Sequence, residues 1–232
     1  MIISHKHKFI FLKTRKTAGT SIEIALSQFC GERDILTPIS KEDELKREAL
    51  GFRGPQNHSV PRRFYSKSDW LGLLGFRKRK HFFNHANAHF IRENIEEGIW
   101  NSYFKFCFER NPFDKAISRY YWSTRDPRPE ISDYLHSAPV KLLTNWDIYT
   151  SNDEIVVDFV GRYENLNHDL AAVAEKIGIS SDLKLVRAKG GYRKDRRYYS
   201  NVLDTQSRDR IELVCAKEIV AFDYSWDNKK NK

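Results

Sequence analysis

The chain has 232 residues, with 40 Lys and Arg against 31 Asp and Glu, a formal net charge of +9 and 40% hydrophobic residues. That length supports one domain with a full core. No apolar run approaches the ~18 residues of a membrane span, and the scattered Cys30, Cys107 and Cys215 exclude a disulfide framework and fit a reducing compartment.

The first residues, Met1 to Lys6, lead straight into a strand without an apolar leader segment, so a cytoplasmic setting is expected. The basic balance implies anionic partners, which charge alone leaves open among a nucleotide, an acidic polysaccharide and nucleic acid. Phe9-Ile10-Phe11-Leu12 is the short apolar run of a buried strand. Ile22, Ala25, Leu26 and Phe29 then follow the i, i+3, i+4, i+7 pattern of an amphipathic helix. Between them, Lys13 to Ser21 holds three cations, four hydroxyls, one glycine and no carboxylate. A strand, a cationic turn of small residues and a helix N-terminus form an anion-binding device, because the first helical N–H groups lack intrahelical partners. In a nucleotide kinase or GTPase the lysine follows the last glycine, as in GxxxxGK(S/T). Here Lys16 precedes Gly19, and Thr20 and Ser21 follow it.

Residues 30–80 are poorly periodic, apart from a charged helix expected over 41–50 with Ser40 as N-cap. Gly51, Gly54, Pro55 and Pro61 mark loop. Arg62-Arg63 and Arg77-Lys78-Arg79-Lys80 read equally as solvated surface or as holders of an anionic acceptor. This insertion is the expected place for acceptor selection.

Asn87 suits the N-cap of a helix facing inward through Ala88, Ile91 and Ile95. Tyr103 to Phe108 reads as a strand ending at Glu109-Arg110-Asn111-Pro112. Pro112 fits the first turn of the next helix, whose apolar face is Phe113, Ala116, Ile117 and Tyr120. Ser118 falls opposite that face. Further on, the pattern predicts a helix over 131–143 and a strand over 155–160. A helix with Leu166, Leu170, Val173 and Ile177 inward follows, stopped by Gly178. The last helix is expected over 205–220. Strands alternating with helices predict a three-layer α/β domain with a central parallel sheet.

Two stretches carry a family resemblance. Lys16-Thr17-Ala18-Gly19-Thr20-Ser21 resembles the 5′-phosphosulfate loop of sulfotransferases that use 3′-phosphoadenosine 5′-phosphosulfate (PAPS), most closely the carbohydrate-type, family 2-like branch with its PKTxxTS signature. The family's usual proline is Arg15 here, which bears on the stiffness of the loop. Arg110-Asn-Pro-Phe-Asp-Lys-Ala-Ile-Ser118 resembles the family's 3′-phosphate site, an arginine after a strand with a serine eight residues beyond. Arg110 offers a planar fork of donors and Ser118 a hydroxyl, a pair suited to a phosphate. The stretches 100–112 and 159–166 are also similar to the carbohydrate-type branch, whereas 30–80 and 123–154 are only weakly so.

The resemblance implies one sulfotransferase domain over residues 1–232 with a variable insertion at about 30–80. It implies transfer of a sulfuryl group from PAPS to an acceptor hydroxyl, expected on a saccharide. Lys16 would stabilise the leaving group while Thr17, Ala18, Gly19, Thr20 and Ser21 cradle the 5′ end. Lys189, Gly190 and Arg193, in a late basic loop, would close over the nucleotide. His85, in His85-Ala86-Asn87-Ala88, corresponds to a stretch where the family often has a histidine and is the first choice of general base, with Glu109 as the alternative. No metal is expected. His81, His85, His89 and Glu93 are spaced by four, but a helix starting near Asn87 keeps them off one face, and HExxH is absent. No nucleic-acid partner is expected. Two rival readings stay open: a P-loop kinase, and a non-catalytic polyanion binder.

Overall fold

The computed structural model describes residues 1–179, 183, 185, 186, 193, 195 and 197–226. Its strands are β1 (Ile2–Ser4), β2 (Phe9–Phe11), β3 (Ile35–Leu36), β4 (Phe104–Glu109), β5 (Thr150–Ser151), β6 (Glu154–Ile155) and β7 (Phe159–Arg162). The first six helices are α1 (Gly19–Ser27), α2 (Lys41–Ala49), α3 (Lys67–Phe76), α4 (Ala88–Glu93), α5 (Glu97–Ser102) and α6 (Pro112–Ser123). They are followed by α7 (Ile131–Ser137), α8 (Val140–Leu143), α9 (Trp146–Tyr149), α10 (Leu166–Lys176), α11 (Thr205–Val214) and α12 (Ala216–Ala221).

The main sheet has the order β3-β1-β2-β4-β7. β2, β4 and β7 are parallel, with Phe11 beside Phe106 and Glu109 beside Arg162. β1 runs antiparallel to both β2 and β3, so the parallel centre carries an antiparallel edge.

Side chains alternate across the sheet, as the period of two requires. Phe9, Phe11, Phe106 and Phe108 pack on one face with Ile22 and Leu26 of α1 and Leu170 and Val173 of α10. Ile3, Ile10, Leu12 and Cys107 pack on the other with Ala88 and Ile91 of α4, Trp100 of α5 and Tyr149 of α9. These are the three expected layers. Gly161 is required beside Phe108, where an added Cβ would sit 2.4 Å from the ring. A third cluster, built on Phe113, Ile117, Leu135, Leu143 and Ile211, binds α6 to α7, α8 and α11.

Three expected elements differ in the structure. The strand expected over 155–160 is divided. Asn152 and Asp153 take positive φ of 50° and 65°, the geometry of a two-residue hairpin turn, and this draws Ile155 into pairing with Thr150. Pairing with β4 begins only where the Asp158 N–H donates to the Lys105 carbonyl at 2.8 Å. The helix expected over 131–143 breaks between α7 and α8, where Ala138 and Pro139 are extended. Proline cannot donate within a helix and biases its predecessor toward extended backbone. The last helix breaks at Cys215 (φ −108°, ψ 23°), whose thiol is 3.6 Å from the Leu143 carbonyl. The insertion also holds α3, which begins at a capping box between Ser66 and Asp69.

Candidate functional site

Because β2, β4 and β7 are parallel, the loops that follow them emerge at one edge of the sheet, where open α/β folds place their ligands. The first is Leu12 to Ala18. Its backbone is wound tightly, with Lys16 at φ +64° and Ala18 at φ +61°. Gly19 must be glycine for closeness, since a Cβ there would lie 2.8 Å from Lys13 Cγ and 3.2 Å from the Thr14 carbonyl. The Thr14 hydroxyl donates to the Phe108 carbonyl on β4 and accepts from the Thr17 hydroxyl at 2.8 Å. Thr17 is therefore turned into the loop, and its backbone N–H is what it can offer an anion. α1 begins with Ile22 N–H donating to the Ala18 carbonyl at 3.1 Å. The N–H groups of Gly19, Thr20 and Ser21 lie ahead of that first bond, in the opening turn of the helix. Lys13 is withdrawn from the site, its Nζ being 2.6 Å from the buried Glu23 carboxylate. Lys16 lies with its Nζ 5.3 Å from the Trp122 ring centre.

Arg15 is held by a residue far away in sequence. Asn145 Oδ1 accepts the Arg15 N–H at 2.9 Å, and Asn145 Nδ2 donates to the Arg15 carbonyl at 3.1 Å. The same amide nitrogen is 3.2 Å from Glu109 Oε1. Glu109 is fully buried. It pairs with Lys115 at 3.0 Å and accepts from the Arg110 N–H at 2.9 Å and the Tyr149 hydroxyl at 3.1 Å. Burial raises the Glu109 carboxyl above its ordinary range. Burial also works against the Lys115 ammonium but is outweighed by the facing Glu109 carboxylate, so Lys115 stays protonated. These bonds make Glu109, the alternative base by sequence, a fixed part of the frame.

The second loop, after β4, carries Arg110. Its Nη1 donates to the Lys16 carbonyl at 3.1 Å, and its Nε donates to Asp114 at 2.9 Å. The guanidinium lies 4.0 Å from the centre of the Tyr163 ring, which belongs to the third loop, after β7. Glu164, from that loop, accepts the Asn111 N–H at 2.7 Å, and Asn111 caps α6 by accepting from Phe113 at 3.0 Å. Asp114, Ser118 and Trp122 recur every four residues and so line one side of α6. Ser118 is half-buried there. Asp114 also pairs with Arg193, which brings that residue of the late basic loop beside Arg110. Lys189 and Gly190 lie outside the described residues.

His85 comes from the opposite side of the first loop. Its Nδ1 is 2.8 Å from the Lys13 carbonyl. A carbonyl only accepts, so Nδ1 carries the proton and Nε2 keeps the lone pair. Burial lowers the imidazole to about 3, so the ring is neutral at pH 7. Among the described residues, no group of three or more His, Cys, Asp or Glu is placed to hold a metal ion. His89 pairs instead with Glu93 at 3.3 Å.

Lys16, Gly19 to Ser21, His85, Arg110 and Ser118 were all singled out by motif. Asn145, Asp114, Trp122 and Tyr163 were not. Asp114 and Trp122 have a local signal, the spacing of four about Ser118. Asn145 has none.

The arrangement brings the loop after β2 and Arg110 side by side, with a neutral imidazole packed against that loop. Residues 1–123 match the model of the Sulfotransferase family, a span that includes the first loop, His85, Arg110 and Ser118. An uncharacterized protein of Archaeoglobus fulgidus is 36% identical over 116 residues, covering 46% of this chain and 97% of that protein. No solved structure matches. The chain belongs to the sulfotransferase family. Members are PAPS-dependent transferases, and this chain is an enzyme of that class.

Proposed function

We propose that the enzyme transfers the sulfuryl group of PAPS to the hydroxyl of a saccharide, using the loop after β2 for the 5′ end and Arg110 with Ser118 for the 3′-phosphate. The observation that carries this reading is the bond from Arg110 Nη1 to the Lys16 carbonyl at 3.1 Å. It ties the two phosphate-type elements together at one sheet edge. The residues present fit the donor. Gly19 lets the loop close tightly against Lys13 and Thr14, and the stretch from Lys13 to Ser21 holds cations, hydroxyls and N–H groups without a carboxylate.

PAPS supplies an activated sulfuryl group on an anhydride. Lys16 and the N–H groups at the start of α1 would stabilise the oxygen that gains charge, a preorganised form of electrostatic stabilisation. Arg110 and Ser118 fix the nucleotide, and alignment lowers the barrier further. His85 Nε2 takes the proton of the acceptor hydroxyl, and the Lys13 carbonyl holds the ring in the required tautomer. Arg193, paired with Asp114, would complete the phosphate site. We read residues 1–232 as one domain serving this site.

Calorimetric binding of adenosine 3′,5′-bisphosphate, ATP and AMP tests the reading. Preference for the bisphosphate, weakened in Arg110→Ala, is the expected result. ATP bound as well or better would indicate a kinase. Nucleotide-independent, salt-steep binding to polyanions would indicate a non-catalytic binder.

A further inference from the structure

The helix α3 has an unusual relation to the rest of the molecule. None of its residues is buried. Leu71, Leu74 and Phe76 are 71%, 77% and 86% exposed, and Trp70 is 39% exposed. A surface helix of a globular domain turns its apolar stripe inward; here Trp70, Leu71 and Leu74 form a stripe directed at solvent.

The helix is nevertheless anchored, and by its polar groups. Asp69 and Ser66 close the capping box. Lys80 Nζ reaches Asp69 at 2.8 Å, and the Lys80 N–H donates to the Tyr65 hydroxyl at 2.9 Å. The base is fastened while the apolar side stays outward. Arg77 then ends the helix at φ 54° and opens the run 77–80, Arg-Lys-Arg-Lys. Residues 62–80 contain seven cations and one carboxylate.

We propose that α3 and the basic run form a reversible docking surface for an anionic lipid bilayer. Exposed leucine and phenylalanine beside a tryptophan suit the boundary between headgroups and acyl chains, and the adjoining cations suit lipid phosphates. No described helix is long and apolar enough to cross a membrane, so the helix would lie in the interface. Charge selects this occupant. A second copy would bring two such cationic segments together. A saccharide or a nucleic acid could satisfy the cations but would leave Leu71, Leu74 and Phe76 in water. The inference stands apart from the transferase reading.

The test is co-sedimentation of the full chain with vesicles of phosphatidylcholine alone and of phosphatidylcholine with about 30 mol% phosphatidylglycerol. Three proteins are compared: wild type, Leu71→Ser/Leu74→Ser, and Arg77→Gln/Lys78→Gln/Arg79→Gln. All changed positions are exposed, and unchanged far-UV circular dichroism and thermal midpoint establish folding. Wild type is expected to bind the anionic vesicles at least roughly tenfold better than the neutral ones, and each variant to lose roughly tenfold or more of that binding. Undiminished binding by the leucine variant would overturn the proposal, reducing the patch to a polyanion site. Absence of vesicle binding would also overturn it, as would concentration-dependent dimerisation abolished by the leucine changes.

Discussion

The side-chain amide of Asn145 grips both backbone groups of Arg15, accepting from its N–H at 2.9 Å and donating to its carbonyl at 3.1 Å. Proline, which lacks an N–H, could not make the first of these bonds. The loop that departs from the family's proline is thus steadied from outside. Asn145 is itself tied to Glu109 at the end of β4, so the position of Lys16 is referred to the sheet.

Asn145→Ala removes both bonds and leaves the loop to relax. A misplacement of about 1 Å in a positioning element can cost roughly 10²-fold in rate. The expected result is a fall in kcat/KM of that order with only a small fall in thermal midpoint. Asn145→Asp should be worse than alanine, because it sets a carboxylate against Glu109 and loses the donor. Steady-state kinetics and thermal denaturation of the two variants check the ordering.

Arg110 contacts the loop, Asp114 and Tyr163 together. Arg110→Lys keeps the charge but loses the planar fork and its stacking, so it should weaken bisphosphate binding nearly as much as alanine does. The expected loss is about 10-fold or more, from charge-assisted bonds contributing roughly 1.5–3 kcal/mol. Titration calorimetry measures it. Retention of full affinity in Arg110→Lys would show that charge alone suffices.

His85 offers two separate readouts. On its proposed role as the acceptor's base, its replacement by asparagine should lower kcat by about 10²–10⁴-fold while leaving bisphosphate binding intact. The free-enzyme histidine lies at about 3 because of burial. Protonation of His85 should therefore not impose a fall in kcat/KM near pH 6.5, which a pH-rate profile will show.

The same shift predicts an effect on stability. Below pH ~6.5 the unfolded chain binds a proton at His85 that the folded chain refuses until about pH 3. The unfolded state binds more protons across that window, so stability falls as pH falls, by at most about 1.4 kcal/mol per unit from this group. His85→Asn should flatten that part of the curve. Denaturant titrations between pH 7 and 4 on both proteins give the difference.

Lys115 faces Glu109 at 3.0 Å and Glu218 at 3.5 Å, all three being buried. Lys115→Met strands two carboxylates away from water, and removing one partner of a buried pair costs about 3–5 kcal/mol. Chemical denaturation should register that loss. A milder loss in Lys115→Met/Glu109→Leu would trace the penalty to the stranded charge.

Much of the site could be read from the chain because its chemistry is local. The phosphosulfate-type loop occupies consecutive residues between a strand and a helix. Arg110 and Ser118 lie on one turn-and-helix unit, where periodicity fixes which side each faces. Periodicity failed where local turn chemistry competed with it: Asn152-Asp153 captured Ile155, and Pro139 cut a helix whose apolar pattern ran on.

The sequence alone determined the alternation of strands and helices, the loop after β2, and which groups are candidates for anion binding. These depend on hydrogen bonding and side-chain direction within a few residues. Only the tertiary structure decided which side chains work together. It placed Asn145 on Arg15 across a separation of 130 residues. It also set His85 against the Lys13 carbonyl, committed Glu109 to a buried network and left α3 facing outward. Such relations follow from parallel strands delivering distant loops to one edge, and from the packing that determines which polar groups lose water and must find partners.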